Sequence, residues 1–489
     1  MRGKKVCSMA MEEFIMKSKK RIIYTSLTVF FSVYISVILY HSLKPLPEGL
    51  SMEGKIHHVN DVEFLQDTTH KDKNGKRVVE KEILTSILKQ IEDAEDFIVI
   101  DMFLFNKDSD KDQVYPKVTE TVTKALLKKR QERPNIQIIF ITDRVNTAYS
   151  SYPSPELAKM KENGINIIMT NLHDLRDSNI LYSGVWRLFF QWFGEKGGGQ
   201  LPNLLASSAP KVNIWSYLDL LNVKANHRKL LITEKAALIS SGNIHDASGY
   251  HSNTAFLIKG NIVEDALKSE DSVNKFSADV EFPAYKEKKE EGSDLKVQLL
   301  TEGKIAKHVL TSIQHTKKGE TIWIGMLYLA DRKIINALKQ AEKRHVKIHI
   351  ILDPNQNSFG NKKAGLPNIP VAAELMKGEN SNMQIRWYNT GKEQYHTKMM
   401  LTEGKSKNII ISGSANYTRR NLADLNLETN VKIEGSKDTK VMKEVKSYFE
   451  KLWNNEGAEY TKDYETEETV PIFRYLLYRL QRLFWFTTY

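Results

Sequence analysis

The strongest constraint on this 489-residue chain is a pattern that occurs twice. One copy reads His396-Thr-Lys398-Met-Met-Leu-Thr-Glu403 and continues as Ile409-Ile-Ile-Ser-Gly413-Ser-Ala-Asn416. The other reads His227-Arg-Lys229-Leu-Leu-Ile-Thr-Glu234 and continues as Ala237-Leu-Ile-Ser-Ser-Gly242-Asn243. Residues two apart on a strand project from the same face, so each copy predicts an imidazole beside an ammonium at the end of a buried strand. A single copy would suit a surface strand end equally well. Two copies at the same offset, each closing on Thr-Glu and leading into Gly and Asn, argue for a shared site. The small residues at Gly413-Ser-Ala-Asn416 let backbone approach a ligand, Asn416 suits a helix cap, and a phosphate fits such a place.

The duplication reaches further than the motifs. Ile83-Leu-Thr-Ser-Ile87 before the apolar run Phe97 to Phe105 parallels Val309-Leu-Thr-Ser-Ile313 before Thr321 to Leu329. Basic amphipathic helices follow at Val118 to Gln131 and Lys333 to Arg344, then apolar strands ending in Asp143 and Asp353, then third strands at Ile165 to Met169 and Met383 to Tyr388. Alternating helices and continuous apolar strands predict an α/β fold of two similar lobes, each a mostly parallel sheet covered by helices. The two motifs are then expected to face one another across a pseudo-two-fold axis. Asp143 and Asp353 read as helix caps or turn residues, the Asp-Pro-Asn at 353–355 favouring that, and stay outside the expected site.

The paired pattern resembles the HxKxxxxD signature of the phospholipase D superfamily with its downstream glycine and asparagine. The resemblance runs from about Lys81 to Trp453, with Glu234 and Glu403 standing where the family usually has Asp. It implies phosphodiester chemistry in which His227 attacks phosphorus to form a phosphohistidine and His396 protonates the leaving alcohol, then deprotonates the incoming water or alcohol. Lys229 and Lys398 would hold the non-bridging oxygens with Asn243 and Asn416 beside them, and Glu234 and Glu403 complete the catalytic set. The family also places an acidic residue downstream against the imidazole of its own half. Aligning the segments after the motifs puts Asn253 and Glu428 in those positions, so Asn253 would orient His227 and Glu428 would favour the charged form of His396. No metal and no cofactor are implied, and both motifs in one chain make a partner subunit unnecessary.

Ile22 to Leu43 carries no Asp, Glu, Lys or Arg. At ~1.5 Å per residue it can cross a hydrocarbon core of ~30 Å. Seven basic residues precede it against Glu12 and Glu13, which predicts a cytoplasmic N-terminus and an extracytoplasmic body. No small-residue cleavage site follows, favouring an anchor over a cleaved signal. The single cysteine, Cys7, leaves the body without disulfides.

The expected division is a basic tail at 1–21, a transmembrane helix at 22–43, a linker at 44–80, a first lobe at 81–265 with an aromatic insertion at 172–215, a second lobe at 290–455, and an amphipathic interfacial helix at 471–486. In the insertion, Trp186 and Trp192 suit either core packing or a membrane interface. In the last helix, Arg474, Tyr478, Arg479, Gln481 and Arg482 share a polar face, while Phe473, Leu476, Leu477, Leu480, Leu483 and Phe484 make an apolar one. Docking of that helix on the body is the alternative to a membrane role. The net charge of +11 suits an anionic partner without choosing between lipid and nucleic acid. The membrane segments tip the reading to a phospholipid membrane, a phospholipid substrate and a water or alcohol acceptor. The expected function is a membrane-anchored phosphatidyl-transferring or hydrolysing enzyme of the cardiolipin synthase kind. The alternatives are a nuclease of the same superfamily, disfavoured by the anchor, and a lipid-binding relic, disfavoured by intact His and Lys in both copies.

Overall fold

The computed structural model describes residues 2–109, 113–193, 197–204, 206–290, 292–358, 361–377, 382–467 and 472–484. Pro471, Trp485 and Phe486 of the expected terminal helix lie outside them, as do the side chains of Cys7, Phe473, Arg474, Arg482, Leu483 and Phe484.

The strands in chain order are β1 His57–His58, β2 Val62–Lys71, β3 Arg77–Lys81, β4 Phe97–Met102, β5 Gln137–Thr142, β6 Asn166–Met169, β7 Lys229–Thr233, β8 Ala236–Ser240 and β9 Asn253–Lys259. Then come β10 Lys296–Thr301, β11 Thr321–Met326, β12 Lys347–Leu352, the small hairpin β13 Asn357–Ser358 and β14 Asn361–Lys362, β15 Met383–Tyr388, β16 Lys398–Glu403, β17 Lys407–Gly413, β18 Thr429–Ser436 and β19 Thr461–Asp463. The first lobe is a sheet of order β3-β2-β9-β8-β7-β4-β5-β6, and the second of order β1-β10-β18-β17-β16-β11-β12-β15-β19. The predicted α/β class and two-lobed duplication are both present: β7-β4-β5-β6 has its counterpart in β16-β11-β12-β15.

The expectation of mostly parallel pairing is corrected. Only β4-β5-β6 and β11-β12-β15 run parallel, each joined by a helical crossover. Every other pairing in the two large sheets is antiparallel, because β7 to β8 and β16 to β17 turn back within a few residues and a parallel return needs a dozen or more. Continuous apolar strands report burial on both faces, which here comes from helices on one side and the other lobe on the other. One core cluster holds Val99, Ile139 and Phe256 of the first lobe together with Leu401, Val431 and Phe449 of the second.

The segment 44–80, expected as a linker, is built into both sheets. β1 pairs with β10 of the second lobe, and β2 pairs with β9 of the first, with Lys71 to Arg77 as its hairpin turn. The alternation Val62-Glu-Phe-Leu within polar surroundings is an edge-strand signal that local polarity hid.

The N-terminal helix spans Arg2–Leu43, and its stretch Met11–Leu43 is long and apolar enough to cross a membrane. It does not stand alone. Tyr34 Oη donates to the Leu181 carbonyl at 2.6 Å, Phe30 meets Phe189 at 6.3 Å between ring centres, and a Cβ on Gly184 would fall 2.7 Å from Ile38. The aromatic insertion is thereby split between the two readings. Trp186 is buried, stacked on His173 at 4.8 Å, whereas Trp192 and Phe193 are exposed, Phe193 stacking on Trp215 at 5.6 Å.

The terminal helix, Ile472–Phe484, docks on the second lobe. Tyr478, expected on its polar face, is buried in that lobe's core, while Leu476 and Leu480 of the expected apolar face are half exposed. Tyrosine carries enough apolar area to be the buried anchor despite its hydroxyl.

Candidate active site

Each motif strand enters its lobe beside the other lobe. The His227 amide donates to the Leu427 carbonyl at 2.9 Å, and the His396 amide donates to the Ser252 carbonyl at 2.8 Å. Isolated parallel bridges, Asn226 with Leu427 and Ser252 with Tyr395, complete the exchange. The two histidines therefore sit at the lobe interface and line one cavity of about 560 Å³.

This exchange overturns the expectation that each imidazole is held by its own half. His227 Nδ1 lies 2.9 Å from Glu428 Oε1 of the second lobe, and His396 Nδ1 lies 3.0 Å from Asn253 Oδ1 of the first. Glu428 follows Leu427 and Asn253 follows Ser252, so the bridging strand of each lobe delivers its polar residue to the opposite histidine. Glu428 is fully buried and also accepts from the Ser414 hydroxyl and the Asn421 amide.

Lys229 and Lys398 are fully buried, and each Nζ donates to the carbonyl of its own histidine at 2.7 Å. Lys229 also sits 5.1 Å above the Phe103 ring. Burial lowers Lys229 to about 7, against the pull of Glu428, Asp101 and Asp143. Lys398 falls well below the ordinary lysine value through burial and the neighbouring Lys229. Burial lowers His227 to about 4 although Glu428 opposes it, and His396 falls well below 6.5 through burial and Lys398. Burial alone would raise Glu428, but His227 and Lys229 hold it below the ordinary glutamate value. The free site is thus a neutral imidazole pair with an ionised Glu428, in which His227 donates Nδ1–H to the carboxylate and keeps a lone pair on Nε2.

Asn243 and Asn416 both line the cavity. Asn243 Oδ1 accepts from the Leu104 amide at 3.3 Å, while Asn416 Oδ1 is buried with no partner among the described residues.

Glu234 and Glu403 do not reach the site. They stand at the strand ends away from the histidines, seven residues on from each and so ~23 Å along the chain. Glu234 accepts from the backbone amides of Glu95, Asp96 and Phe97, and Glu403 holds Trp323 Nε1 at 2.9 Å and Lys446 at 3.0 Å. These carboxylates anchor the far strand ends, a role that either acid length can fill.

Asp143 and Asp353, set aside as turn residues, do cap turns but also position the site. Asp143 accepts from Val145 and from the Asn226 amide at 2.7 Å; Asp353 accepts from Asn355 and from the Tyr395 amide at 2.7 Å. Each fixes the residue before a histidine. Their recurrence at equivalent strand ends was the signal available in the sequence. Other residues lacked any signal. The His251 ring lies 5.7 Å from His396, and its Nδ1 accepts from the Gln394 amide, leaving its proton on Nε2. Arg228, fully buried, bridges Glu270 at 2.8 Å and Glu302 at 2.7 Å, and Glu302 in turn accepts from the Glu428 amide.

Two HxK units, one from each lobe, thus converge on one cavity. The family profile described as "Cardiolipin synthase, PLD-like domain" matches residues 309–453. Among solved structures, phosphatidylserine synthase of Haemophilus influenzae is similar over 89% of this chain and 96% of its own, at 11% identity and TM-score 0.55. The phospholipase D family member Nuc of Salmonella typhimurium is matched over 35% of this chain and 97% of its own, at 20% identity and TM-score 0.27. The search of curated proteins gives no match. The profile match lies in the second lobe, whose strand order β16-β11-β12-β15 the first lobe repeats as β7-β4-β5-β6.

Proposed function

We propose that this chain is a membrane-anchored enzyme that moves a phosphatidyl group from a phospholipid to water or an alcohol through a phosphohistidine on His227. The observation that carries the reading is the crossed pairing at the lobe interface. A carboxylate on Nδ1 raises the nucleophilicity of His227 Nε2 and stabilises the positive charge that the ring gains on phosphorylation. Asn253, a neutral acceptor, leaves protonated His396 the stronger acid for the departing oxygen. The negative charge of a phosphodiester between Lys229 and Lys398 favours the protonation that His396 needs.

A lipid substrate is supported by the cavity wall, where Leu104, Val145, Leu204, Leu220, Leu327 and Leu477 surround the polar centre. The exposed Trp192 and Phe193, in an insertion whose Leu181 and Phe189 touch the apolar N-terminal helix, support a body held against a bilayer. The basic residues before that helix support a cytoplasmic N-terminus and an extracytoplasmic site. A cardiolipin-type product fits the transfer arm of this reading. Thin-layer analysis of lipids after incubation of the purified full chain with phosphatidylglycerol, with and without glycerol, tests it. A phosphatidyl transfer or hydrolysis product is expected, absent in His227→Ala. Cleavage of DNA with no lipid turnover would replace it by the nuclease reading.

A further inference from the structure

The cavity that holds both histidines contains a cation that the reaction above does not use. Arg420 lies in the short helix Arg419–Leu422, lines the cavity and is only 7% exposed. Its Nε has no hydrogen-bond partner, and among the described residues its guanidinium makes no ion pair with a carboxylate. Arg228 makes the contrast: equally buried, it is clamped between Glu270 and Glu302. Burying a guanidinium without a counter-charge is costly, and folds keep such groups where a ligand supplies the charge.

Arg420 shares the cavity with both histidines and belongs to neither HxK unit. The titratable groups that face Arg420 are its neighbour Arg419 and, from the first lobe, the Tyr149 phenol, which burial raises and keeps neutral. Burial lowers Arg420 to about 9, so it is still a cation at neutral pH. The next residue, Asn421, donates to Glu428, which holds His227, so Arg420 is on the His227 side of the same cavity. A cavity of about 560 Å³ has room for more than one phosphodiester.

We propose that Arg420 forms a second anion subsite, which takes a phosphate or carboxylate carried by the alcohol that leaves or enters at the reacting phosphorus. The proposal rests on the phosphatidyl-transfer reading and adds its substrate class: an alcohol bearing its own negative charge. Bidentate guanidinium geometry suits either oxyanion.

The test uses the full chain in detergent and compares Arg420→Gln with Arg420→Lys. In the donor arm, kcat/KM for phosphatidylserine is divided by that for phosphatidylethanolamine, which differs by the carboxylate. In the acceptor arm, glycerol 3-phosphate is compared with glycerol. Arg420→Gln is expected to lower one of these ratios at least tenfold, and the arm that falls tells whether the leaving or the entering alcohol is read. Arg420→Lys is expected to recover part of the loss. Calorimetric binding of glycerol 3-phosphate should weaken at least fivefold in Arg420→Gln. Losses equal for charged and neutral partners, or no loss in either arm, would overturn the subsite. So would anion binding that disappears in Lys398→Ala and is untouched in Arg420→Gln. Ligand-free Arg420→Gln should melt no lower than wild type, since it removes an uncompensated charge. A fall of several degrees, repeated in Arg420→Met, would make Arg420 a structural residue and also sink the proposal. Arg420-dependent binding in a protein that turns over no phospholipid would keep the subsite and discard the reaction.

Discussion

Glu428 of the second lobe holds Nδ1 of His227 in the first at 2.9 Å, across the interface between the lobes. If His227 is the nucleophile proposed above, Glu428, which fixes its tautomer, should matter to turnover, and Glu428→Gln is expected to lower kcat by roughly 10²–10⁴-fold, in the range of other carboxylate-to-amide changes behind a catalytic histidine. Asn253→Ala, which removes only a neutral acceptor from His396, should cost less. The phosphoryl group should be trapped on His227 in the His396→Ala variant; label recovered on another residue would reassign the nucleophile.

Anion binding should draw protons into the site. Burial holds Lys229 at about 7, so at pH 8 the free protein keeps it largely neutral, and burial with the neighbouring Lys229 lowers Lys398 from its ordinary value. An incoming phosphate favours their charged forms, so protons are taken up and affinity falls as pH rises through the range above about 7. Titrations with inorganic phosphate in two buffers of different ionisation heat should show uptake of about one proton. Zero uptake would mean that Lys229 is already charged in the free protein.

Neutral His227 has a stability consequence of definite sign. Its folded value, about 4, lies below its ordinary 6.5, so the unfolded chain binds the extra proton between those values. Stability contributed by this group is therefore present above pH 6.5 and is lost as pH falls toward 4. Thermal melting of His227→Gln should show a shallower acid decline than wild type; identical slopes would assign the decline to other groups.

The two lobes solve the floor of the site differently. At Asp101 the first lobe pairs a carboxylate with the Asn226 amide at 2.8 Å, while the equivalent residue of the second lobe is Gly325, whose missing side chain admits Tyr395. A Cβ there would fall 2.3 Å from the Tyr395 hydroxyl. Gly325→Ala should destabilise by ~1–3 kcal/mol through overpacking, and Tyr395→Phe in the same chain should recover much of it. Denaturant melts of the two single variants and the double variant would show this as non-additivity.

Glu234→Ala and Glu403→Ala should leave turnover within about threefold while costing ~0.5–1.5 kcal/mol of stability, the net worth of hydrogen bonds to partly exposed amides and an indole N–H. Loss of kcat without loss of stability in either variant would return these carboxylates to the catalytic set.

The duplicated His-x-Lys pattern, with an apolar run behind it and Gly and Asn after it, already determined much of this molecule. Local alternation and repetition are enough to predict two similar α/β lobes, a shared site at His227, Lys229, His396 and Lys398, and an apolar N-terminal helix. The sequence could not say how the lobes exchange partners. Which histidine Glu428 holds depends on strand segments 200 residues apart pairing across an interface, and no periodicity within one segment encodes that choice. The same holds for Glu234 and Glu403, whose distance from the site is set by strand length and direction, and for β1 and β2, whose partners lie in different lobes. Tertiary pairing also decided that Arg420, one of two adjacent arginines in a polar run, faces the cavity with no carboxylate among the described residues to balance it.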